Sequence, residues 1–223
     1  PDVQSAAFSM LIPAGCIYDP PGQHGAASML SDLLTRGAGE RDSRELSSTL
    51  DNLGLQRSEH VGARHTSVYG ATVADKLTEC LRIYGDVLMR PALPEDQFEA
   101  VRMGAEHSLL SIEDDPQRKT MIELRRRSFT RPWGLPADGS LADLPNITHD
   151  SLRSHFENCF RPNGSILGIA GKVDAKDVIQ VVGEVLGEWP QKPVLEVSPG
   201  ETGPKLDFIE QDTAQTHIGL SYK

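Results

Sequence analysis

The sequence predicts an α+β fold in which helices pack mainly on one face of a mixed or antiparallel sheet. Strand-forming runs occur near both ends of the chain, and helical patterns fill its middle. This order favours separate layers of sheet and helix over the alternating units of a parallel α/β protein. The chain contains 38% hydrophobic and 24% charged residues, which is typical of a globular protein with a core.

Four elements are predicted in the first third of the chain. An apolar run that begins at Phe8 ends in a Pro-Gly break, which favours a strand followed by a loop. Apolar residues at helical spacing then end at Gly37, a common helix stop. Ser43 is placed to cap the next helix, and Gly62 to bend a hairpin of β-forming residues. The predicted elements are a strand at 8–15, helices at 25–36 and 44–52, and a hairpin at 55–73.

Helices dominate the rest of the predicted fold. Pro91 and Pro94 separate two helical patterns because proline breaks a helix interior. Thr148 is a good N-cap for a later helix, which follows a loop rich in proline and glycine at 129–145. The predicted elements are helices at 74–89, 95–112, 116–127, 148–160 and 175–186, and a strand at 165–171.

The domain organisation is predicted from a change in composition near residue 190. We predict one α+β domain over 1–190, followed by a linker-like segment at 191–204 that is rich in proline and glutamate. Two strand-like runs, at 205–210 and 216–222, then close the chain within 205–223.

The charge balance disfavours nucleic acid as a partner. The formal net charge is −10, from 22 basic and 32 acidic residues, and such a chain repels a polyanion. One dense basic cluster exists, at 125–127 and Arg131. It falls at the end of a predicted helix, where the helix dipole favours cations, so we interpret it as structural.

The cysteines and the hydropathy of the chain argue against a disulfide-rich protein and a membrane protein. Cys16, Cys80 and Cys159 are far apart and form no C-x-x-C pair, so we expect reduced core thiols instead of disulfides or a thiolate zinc site. No run approaches the roughly 18 apolar residues of a membrane span. The chain opens at Pro1 with neither an initiator Met nor a signal peptide. We therefore expect a soluble, excised piece without membrane contact, whose compartment is unknown.

Motifs with known chemistry are sparse in the sequence. No two of the seven histidines stand four residues apart with a Glu between them, so H-E-x-x-H and H-x-x-E-H are both missing. A composite site from His60, His65 and His107 is an alternative, but surface or core histidines are the simpler interpretation. The sequence has no G-x-S-x-G elbow and no P-loop. We interpret the acidic run at 113–115 as a solvated turn between helices.

A series of short motifs runs along almost the whole chain in an order that is specific, although each motif is weak by itself. The matching pieces are 14–19, 25–27, 33–37, 50–54, 86–91, 113–116, 132–134, Gly139, 147–148, 160–163 and 168–174. Their order and spacing resemble the N-terminal domain of pitrilysin/insulinase-type (inverzincin) zinc metallopeptidases, a family that includes the mitochondrial processing peptidases.

The resemblance also locates the family's zinc motif on this chain. In active members the first helix carries H-x-x-E-H, in which two histidines bind zinc and the Glu activates the metal-bound water. The resemblance places these positions at Ser28, Ser31 and Asp32. It places the third ligand, a Glu in active members, at His107 or Ser108. Because all of these positions depart from the motif, the resemblance implies a member with no catalytic residue, no bound metal and no other cofactor.

The architecture of the family suggests a role for a member that lacks the zinc motif. The family places two half-molecules around a closed chamber, and it includes subunits that lost the motif and form a wall beside an active chain. The resemblance therefore implies a catalytically inactive domain that forms a chamber wall or a peptide-binding surface with an active peptidase subunit or a second half-domain. Segment 205–223 would then begin the connection to a second half, and a homodimer is a further option.

Two alternatives stay open at this point. One is an active zinc metalloendopeptidase with an atypical site built from His24, His60 or His107. The other is a purely structural assembly subunit, as in respiratory-complex core proteins that resemble the family. Active relatives bind peptide along an edge strand that carries an Asn-Ala stretch, and the corresponding Ser58 and Glu59 depart from it.

Overall fold

The computed structural model describes residues 3–210 and 215–222, which form the predicted α+β fold. The main sheet contains β1 (Ser5–Ile12), β4 (Gln56–Val61), β5 (Thr66–Val73) and β6 (Ile166–Gly171), and a short separate pair contains β2 (Gly37–Ala38) and β3 (Arg41–Asp42). The helices are α1 (Ala26–Leu34), α2 (Ser43–Asn52), α3 (Leu77–Met89), α4 (Phe98–Glu113), α5 (Pro116–Ser128), α6 (His149–Cys159) and α7 (Ala175–Leu186).

The four strands of the main sheet run in the order β4-β5-β1-β6, and every neighbouring pair is antiparallel. The hairpin β4-β5 therefore lies on one side of β1 and the late strand β6 on the other. Residues alternate between the two faces of a strand, so the even-numbered residues of β1 point to one face and the odd-numbered ones to the other. The even-numbered residues are buried, whereas Ser5 and Ser9 are exposed.

The core lies between that even-numbered face and the helices. The rings of Phe8 on β1 and Tyr84 on α3 meet edge to face, with centroids 5.1 Å apart. Opposite Phe8, a side chain at Gly70 would meet the Phe8 ring, because a Cβ there would lie 2.4 Å from it. Leu30 and Leu33 of α1 are almost fully buried in the same core. Each of these leucine side chains contributes about 2 kcal/mol to the stability of the fold, because its apolar area is removed from water.

The caps of two helices test the sequence predictions directly. Thr148 caps α6 as predicted, because its side chain accepts the N–H of Ser151. The cap of α2 is Asp42 and not Ser43: the Asp42 carboxylate accepts the N–H of Glu45, and the Glu45 side chain accepts the N–H of Asp42. Asp and Ser cap equally well, so the pattern could not choose between neighbouring positions.

The two closing strands predicted at 205–210 and 216–222 do not form in the described part of the chain. Leu206 and Phe208 are 90% and 84% exposed, and neither run pairs with an edge of the sheet. A strand needs a neighbour for its N–H and C=O groups, and these runs have no such neighbour here. The predicted run at 205–223 also includes 211–214 and Lys223, which lie outside the described residues. The boundaries at 190 and 204 stay a prediction.

Within residues 3–210 and 215–222, none of the helices combines the length and the apolar character that a membrane crossing requires.

Candidate functional site

The start of α1 is fixed by a buried carboxylate. Asp19 accepts the N–H of Gly25 at Oδ2 and the N–H of Ala27 at Oδ1, both at 2.8 Å. The first N–H groups of a helix have no partner within the helix, and their dipole favours a negative charge. Gly25 has φ 109°, a left-handed conformation that favours glycine. Asp19 therefore sets the direction in which α1 leaves the preceding loop.

Ser28 and Ser31 lie on the part of α1 that faces the rest of the protein. The Ser28 hydroxyl donates a hydrogen bond of 2.8 Å to the carbonyl of Ala137, in the loop between α5 and α6. Ser31 is 8% exposed. Ser31 is thus enclosed by the fold, whereas Ser28 is half-buried and connects α1 to that loop.

Asp32 lies near the end of α1 and forms an ion pair at the surface. Its carboxylate accepts hydrogen bonds from Nε and Nη2 of Arg36, both at 3.2 Å from Oδ1, and its side chain is 46% exposed. Arg36 also reaches Oε1 of Gln97 at 3.4 Å, just before α4. A cation at Asp32 would have to compete with the guanidinium of Arg36.

His107 and Ser108 lie on α4, which packs against α1. Both side chains are exposed. The Ser108 carbonyl accepts a hydrogen bond of 2.7 Å from the hydroxyl of Ser111, within the same helix. Neither residue contributes a side-chain contact to α1 that the structure records.

These side chains do not fit a zinc centre. A catalytic zinc takes three protein ligands from histidine, carboxylate or thiolate, and serine is a poor ligand for it. Ser28 donates its proton to a carbonyl, and the only carboxylate, that of Asp32, is paired with Arg36. Throughout the described residues, no group of three or more His, Cys, Asp or Glu side chains is arranged to hold a metal ion.

The histidines of the alternative atypical site do not assemble into such a group either. His24 precedes α1 and is partly buried, which lowers its pKa, and His60 is exposed on β4. His107 is exposed on α4. His65, in the turn before β5, also has a lowered pKa because of burial and the nearby Arg64.

A second polar cluster contains residues to which the sequence gave no role. His155 of α6 places Nε2 at 3.8 Å from Oδ1 of Asp19, and its Nδ1 lies 3.8 Å from Sγ of Cys159. Burial raises the pKa of Asp19 to about 7 and lowers that of His155 to about 4. Between about pH 4 and 7 both groups therefore favour their neutral forms, because a charge is costly in a low-dielectric interior, and above about pH 7 Asp19 becomes ionised.

Cys159, His155 and Asp19 follow one another in space like the nucleophile, base and acid of a catalytic triad. Their burial excludes nucleophilic catalysis. Cys159 is 1% exposed, and burial raises its pKa to about 12. A cysteine nucleophile needs an accessible thiolate, which a lowered pKa provides. The cluster instead joins the loop before α1 to α6. In the sequence, Asp19 falls within the family motif at 14–19, six residues before Gly25. That position is the only sequence feature that pointed to Asp19 as a functional residue.

The acidic run at 113–115 has the role that the sequence predicted, a turn between helices. Asp115 caps α5 by accepting the N–H of Arg118 at 3.0 Å. The Glu113 carboxylate pairs with Lys119 at 2.5 Å.

The edge strand β4 presents different side chains to the two faces of the sheet. Glu59 points toward α3, where it accepts the hydroxyl of Tyr84 at 3.0 Å and lies 3.7 Å from Arg57. Ser58 points to the opposite, exposed face. Among the described strands, β4 pairs with β5 alone.

Comparison with protein families gives two matches along the chain. The family model described as Insulinase (Peptidase family M16) matches residues 1–134, and the model described as Peptidase M16 inactive domain matches residues 146–223. The first match covers more than half of the chain.

Curated relatives match the entire chain at low identity. An uncharacterized zinc protease of Rickettsia bellii is 20% identical over 224 residues, which are 100% of this chain and 54% of the relative. The uncharacterized zinc protease YmxG of Bacillus subtilis is 20% identical over 225 residues, which are 100% of this chain and 55% of the relative. The chain therefore spans about half the length of the curated relatives it matches.

Solved structures share the fold. A peptidase M16 inactive domain from Pseudomonas fluorescens has a TM-score of 0.80 at 17% identity, over 90% of this chain and 50% of that one. Pitrilysin has a TM-score of 0.76 at 17% identity, over 90% of this chain and 22% of its own. The described sheet and helices thus share their fold with part of each of these longer chains.

Proposed function

The chain belongs to the insulinase family of peptidases, M16, and from that premise we propose that it is a catalytically inactive domain of the family. In this role it forms a chamber wall or peptide-binding surface beside an active peptidase subunit or a second half-domain. The relatives it matches are about twice as long, so in them a comparable length of chain accompanies the matched part.

One observation carries the proposal: the face of α1 that the family resemblance assigns to the metal motif is used for other contacts. Ser28 ties α1 to Ala137, Ser31 is enclosed, and Asp32 is paired with Arg36. At the positions that the resemblance assigns to a general base and two metal ligands, this chain has two serines and a paired aspartate, which supports a domain that neither binds zinc tightly nor activates a water molecule.

A cleavage assay tests the proposal. The protein is incubated with excess zinc and a mixture of fluorogenic peptides, with and without a chelator. We expect no cleavage above the rate without protein. Chelator-sensitive cleavage that is lost in Asp32→Ala or His107→Ala, but kept in the exposed control Asp51→Ala, would overturn the proposal and favour the atypical active site.

The role as a wall is tested by a second assay, because an inactive chain has an effect only through a partner. The probe is an M16 chain chosen for an intact H-x-x-E-H motif. We expect its peptide cleavage to increase when this chain is added. No change in rate and no binding to that chain would exclude the shared chamber and favour a purely structural subunit.

A further inference from the structure

Four arginines form the basic cluster at the end of α5. Arg125, Arg126 and Arg127 lie in the last turn of the helix, and Arg131 follows in the loop. Arg126 and Arg127 both pair with Glu123, one turn earlier. Arg125 and Arg131 are exposed and form no ion pair within the described part of the chain. The basic cluster therefore has a surplus of positive charge, although the chain as a whole has a formal charge of −10.

A segment of the same chain without helix or strand, residues 200–207, lies across the basic cluster, and we call it the strap. The Gly200 N–H donates to the carbonyl of Arg131 at 2.6 Å, and the Arg131 N–H donates to the carbonyl of Glu201 at 3.2 Å. Arg131 thus uses both of its backbone groups on the strap. Main-chain hydrogen bonds of this kind give peptides affinity when they dock on an exposed backbone.

The strap also contacts the last turn of α5. Gly203 lies so close to the helix that a Cβ there would come within 2.9 Å of the Arg127 Cα. The Asp207 carboxylate accepts a hydrogen bond from Nη2 of Arg127. The strap thus supplies a glycine where the two backbones approach and a carboxylate to a guanidinium. We expect the same features in any peptide that binds here.

The strap is held loosely. Gly203 is the only one of its eight residues that is not exposed, and its one large apolar side chain, Leu206, is 90% exposed. Ion pairs at the surface contribute little to stability, and ordering a flexible segment costs conformational entropy. We therefore expect the strap to leave and rebind, so that the basic cluster is accessible in a fraction of the molecules.

We propose that the basic cluster is a binding site for an acidic, non-helical peptide of a partner protein, and that the strap blocks this site by occupying it. The strap and the residues that follow it show the chemistry of the ligand, because residues 200–210 contain three acidic residues, one basic residue and two glycines. The inference goes beyond the proposed function, since it depends neither on an active peptidase subunit nor on the residues of α1.

The contacts of Arg131 favour a peptide over nucleic acid as the ligand. Its carbonyl accepts a hydrogen bond from a backbone N–H of the strap, and its own N–H donates to a backbone carbonyl. A peptide backbone offers a donor and an acceptor at every residue except proline. The phosphate groups of nucleic acid offer acceptors alone, so they would match only one of the two contacts.

The tether makes the strap a strong competitor for this site. Because the strap and the basic cluster belong to one chain, the effective concentration of the strap is high. A free peptide therefore binds weakly to the wild type and more tightly to a variant whose strap cannot dock. Gly203→Ala is such a variant, since its methyl group would collide with the Arg127 backbone while every charge stays unchanged.

Fluorescence anisotropy with a labelled peptide tests the inference. The probe is a synthetic copy of residues 198–210, acetylated and amidated at its ends, and it is titrated with the whole chain. We expect Gly203→Ala to bind the probe about fivefold more tightly than the wild type, because its strap no longer competes. Adding Arg131→Glu to that variant should weaken binding about tenfold, and high salt should weaken it too.

Two controls make the result specific. Gly104→Ala on α4, where a Cβ meets nothing within 4 Å, should bind the probe like the wild type. A probe that itself carries the Gly203→Ala change should bind the Gly203→Ala chain about fivefold more weakly than the unchanged probe, because its methyl group meets the same Arg127 backbone.

Three outcomes would overturn the inference. The first is equal affinity of the wild-type, Gly203→Ala and Gly104→Ala chains, which would remove the blocking role of the strap. The second is a probe that binds none of the chains, or whose binding Arg131→Glu leaves intact. The third is an oligothymidylate of equal net charge that binds as tightly as the peptide, which would assign the basic cluster to polyanions in general.

Discussion

Two polar groups of residues flank α1, and they differ in burial and in the partners they have. At the start of the helix, Asp19 is buried, accepts two backbone N–H groups and faces His155. Near its end, Asp32 is exposed and paired with Arg36. The buried group has the composition of a catalytic relay, whereas the exposed group lies at a position that the family resemblance assigns to the metal motif. Burial and partners, more than residue type, therefore decide what each group does.

The largest effect is expected from Asp19→Ala at the buried end. Two N–H groups at the start of α1 would lose their acceptor inside the protein, so we expect a loss of about 3 kcal/mol in the free energy of unfolding. Urea denaturation measures it, with the exposed Asp51→Ala on α2 as the control. A loss below about 1 kcal/mol would mean that water replaces the carboxylate, and the buried group would not anchor the helix.

The pH dependence of stability separates Asp19 from His155. The pKa of His155 is lowered from 6.5 to about 4, so its contribution is present above pH 6.5 and is lost as the pH falls. The pKa of Asp19 is raised from 3.8 to about 7, so its contribution is present at low pH and is lost as the pH rises. The two contributions oppose each other across the acidic range.

Two variants reveal these opposing contributions by denaturation at several pH values. Relative to wild type, Asp19→Asn should gain roughly 1 kcal/mol per pH unit as the pH rises from about 4 to 7. His155→Gln should instead gain on the wild type as the pH falls from about 6.5 to 4. If the difference in unfolding free energy between variant and wild type does not change with pH, or changes in the opposite direction, Asp19 and His155 are not held in their neutral forms.

A smaller effect is expected in the middle of α1. Ser28→Ala removes the hydrogen bond to the carbonyl of Ala137, and we expect a loss of about 1 kcal/mol. The exposed Ser154→Ala on α6 serves as the control, for which we expect a change within about 0.5 kcal/mol. Equal effects of the two changes would mean that the tie between α1 and the following loop contributes nothing to stability.

The smallest effect is expected at the exposed end of α1. Surface ion pairs contribute little, so Asp32→Ala should cost no more than about 0.5 kcal/mol. A double-mutant cycle with Arg36→Ala measures the coupling, which we expect to be about 0.3 to 0.5 kcal/mol and to decrease with salt. A coupling above about 2 kcal/mol would give the pair a structural role like that of Asp19.

Sequence patterns predicted most of the helices and the hairpin because the contacts that form these elements join residues close in sequence. Helical spacing between 26 and 34, the Thr148 cap and the hairpin around Gly62 each depend on residues close in sequence. The strands predicted at 205–210 and 216–222 depend on a neighbour that sequence alternation cannot supply. The two-residue pair β2-β3 is too short to produce a periodic signal.

The candidate site was predictable only in part. The order of short motifs assigns the family's metal motif to Ser28, Ser31 and Asp32, and that assignment stays a prediction. The pairing of Asp32 with Arg36 follows helical spacing, but the tie from Ser28 to Ala137 joins residues 109 positions apart. The contact between Asp19 and His155 joins residues that are still farther apart in sequence, so only the fold reveals it.

Zinc binding tests the central claim most directly. Metal-free protein is incubated with one equivalent of zinc, desalted and analysed for retained metal, beside a positive control that combines Ser28→His, Asp32→His and Ser108→Glu. We predict that the wild type retains almost no zinc and that the control retains more, because it regains a set of three ligands. Near-stoichiometric zinc in the wild type, lost in Asp32→Ala, would contradict the account and restore a metal site to α1.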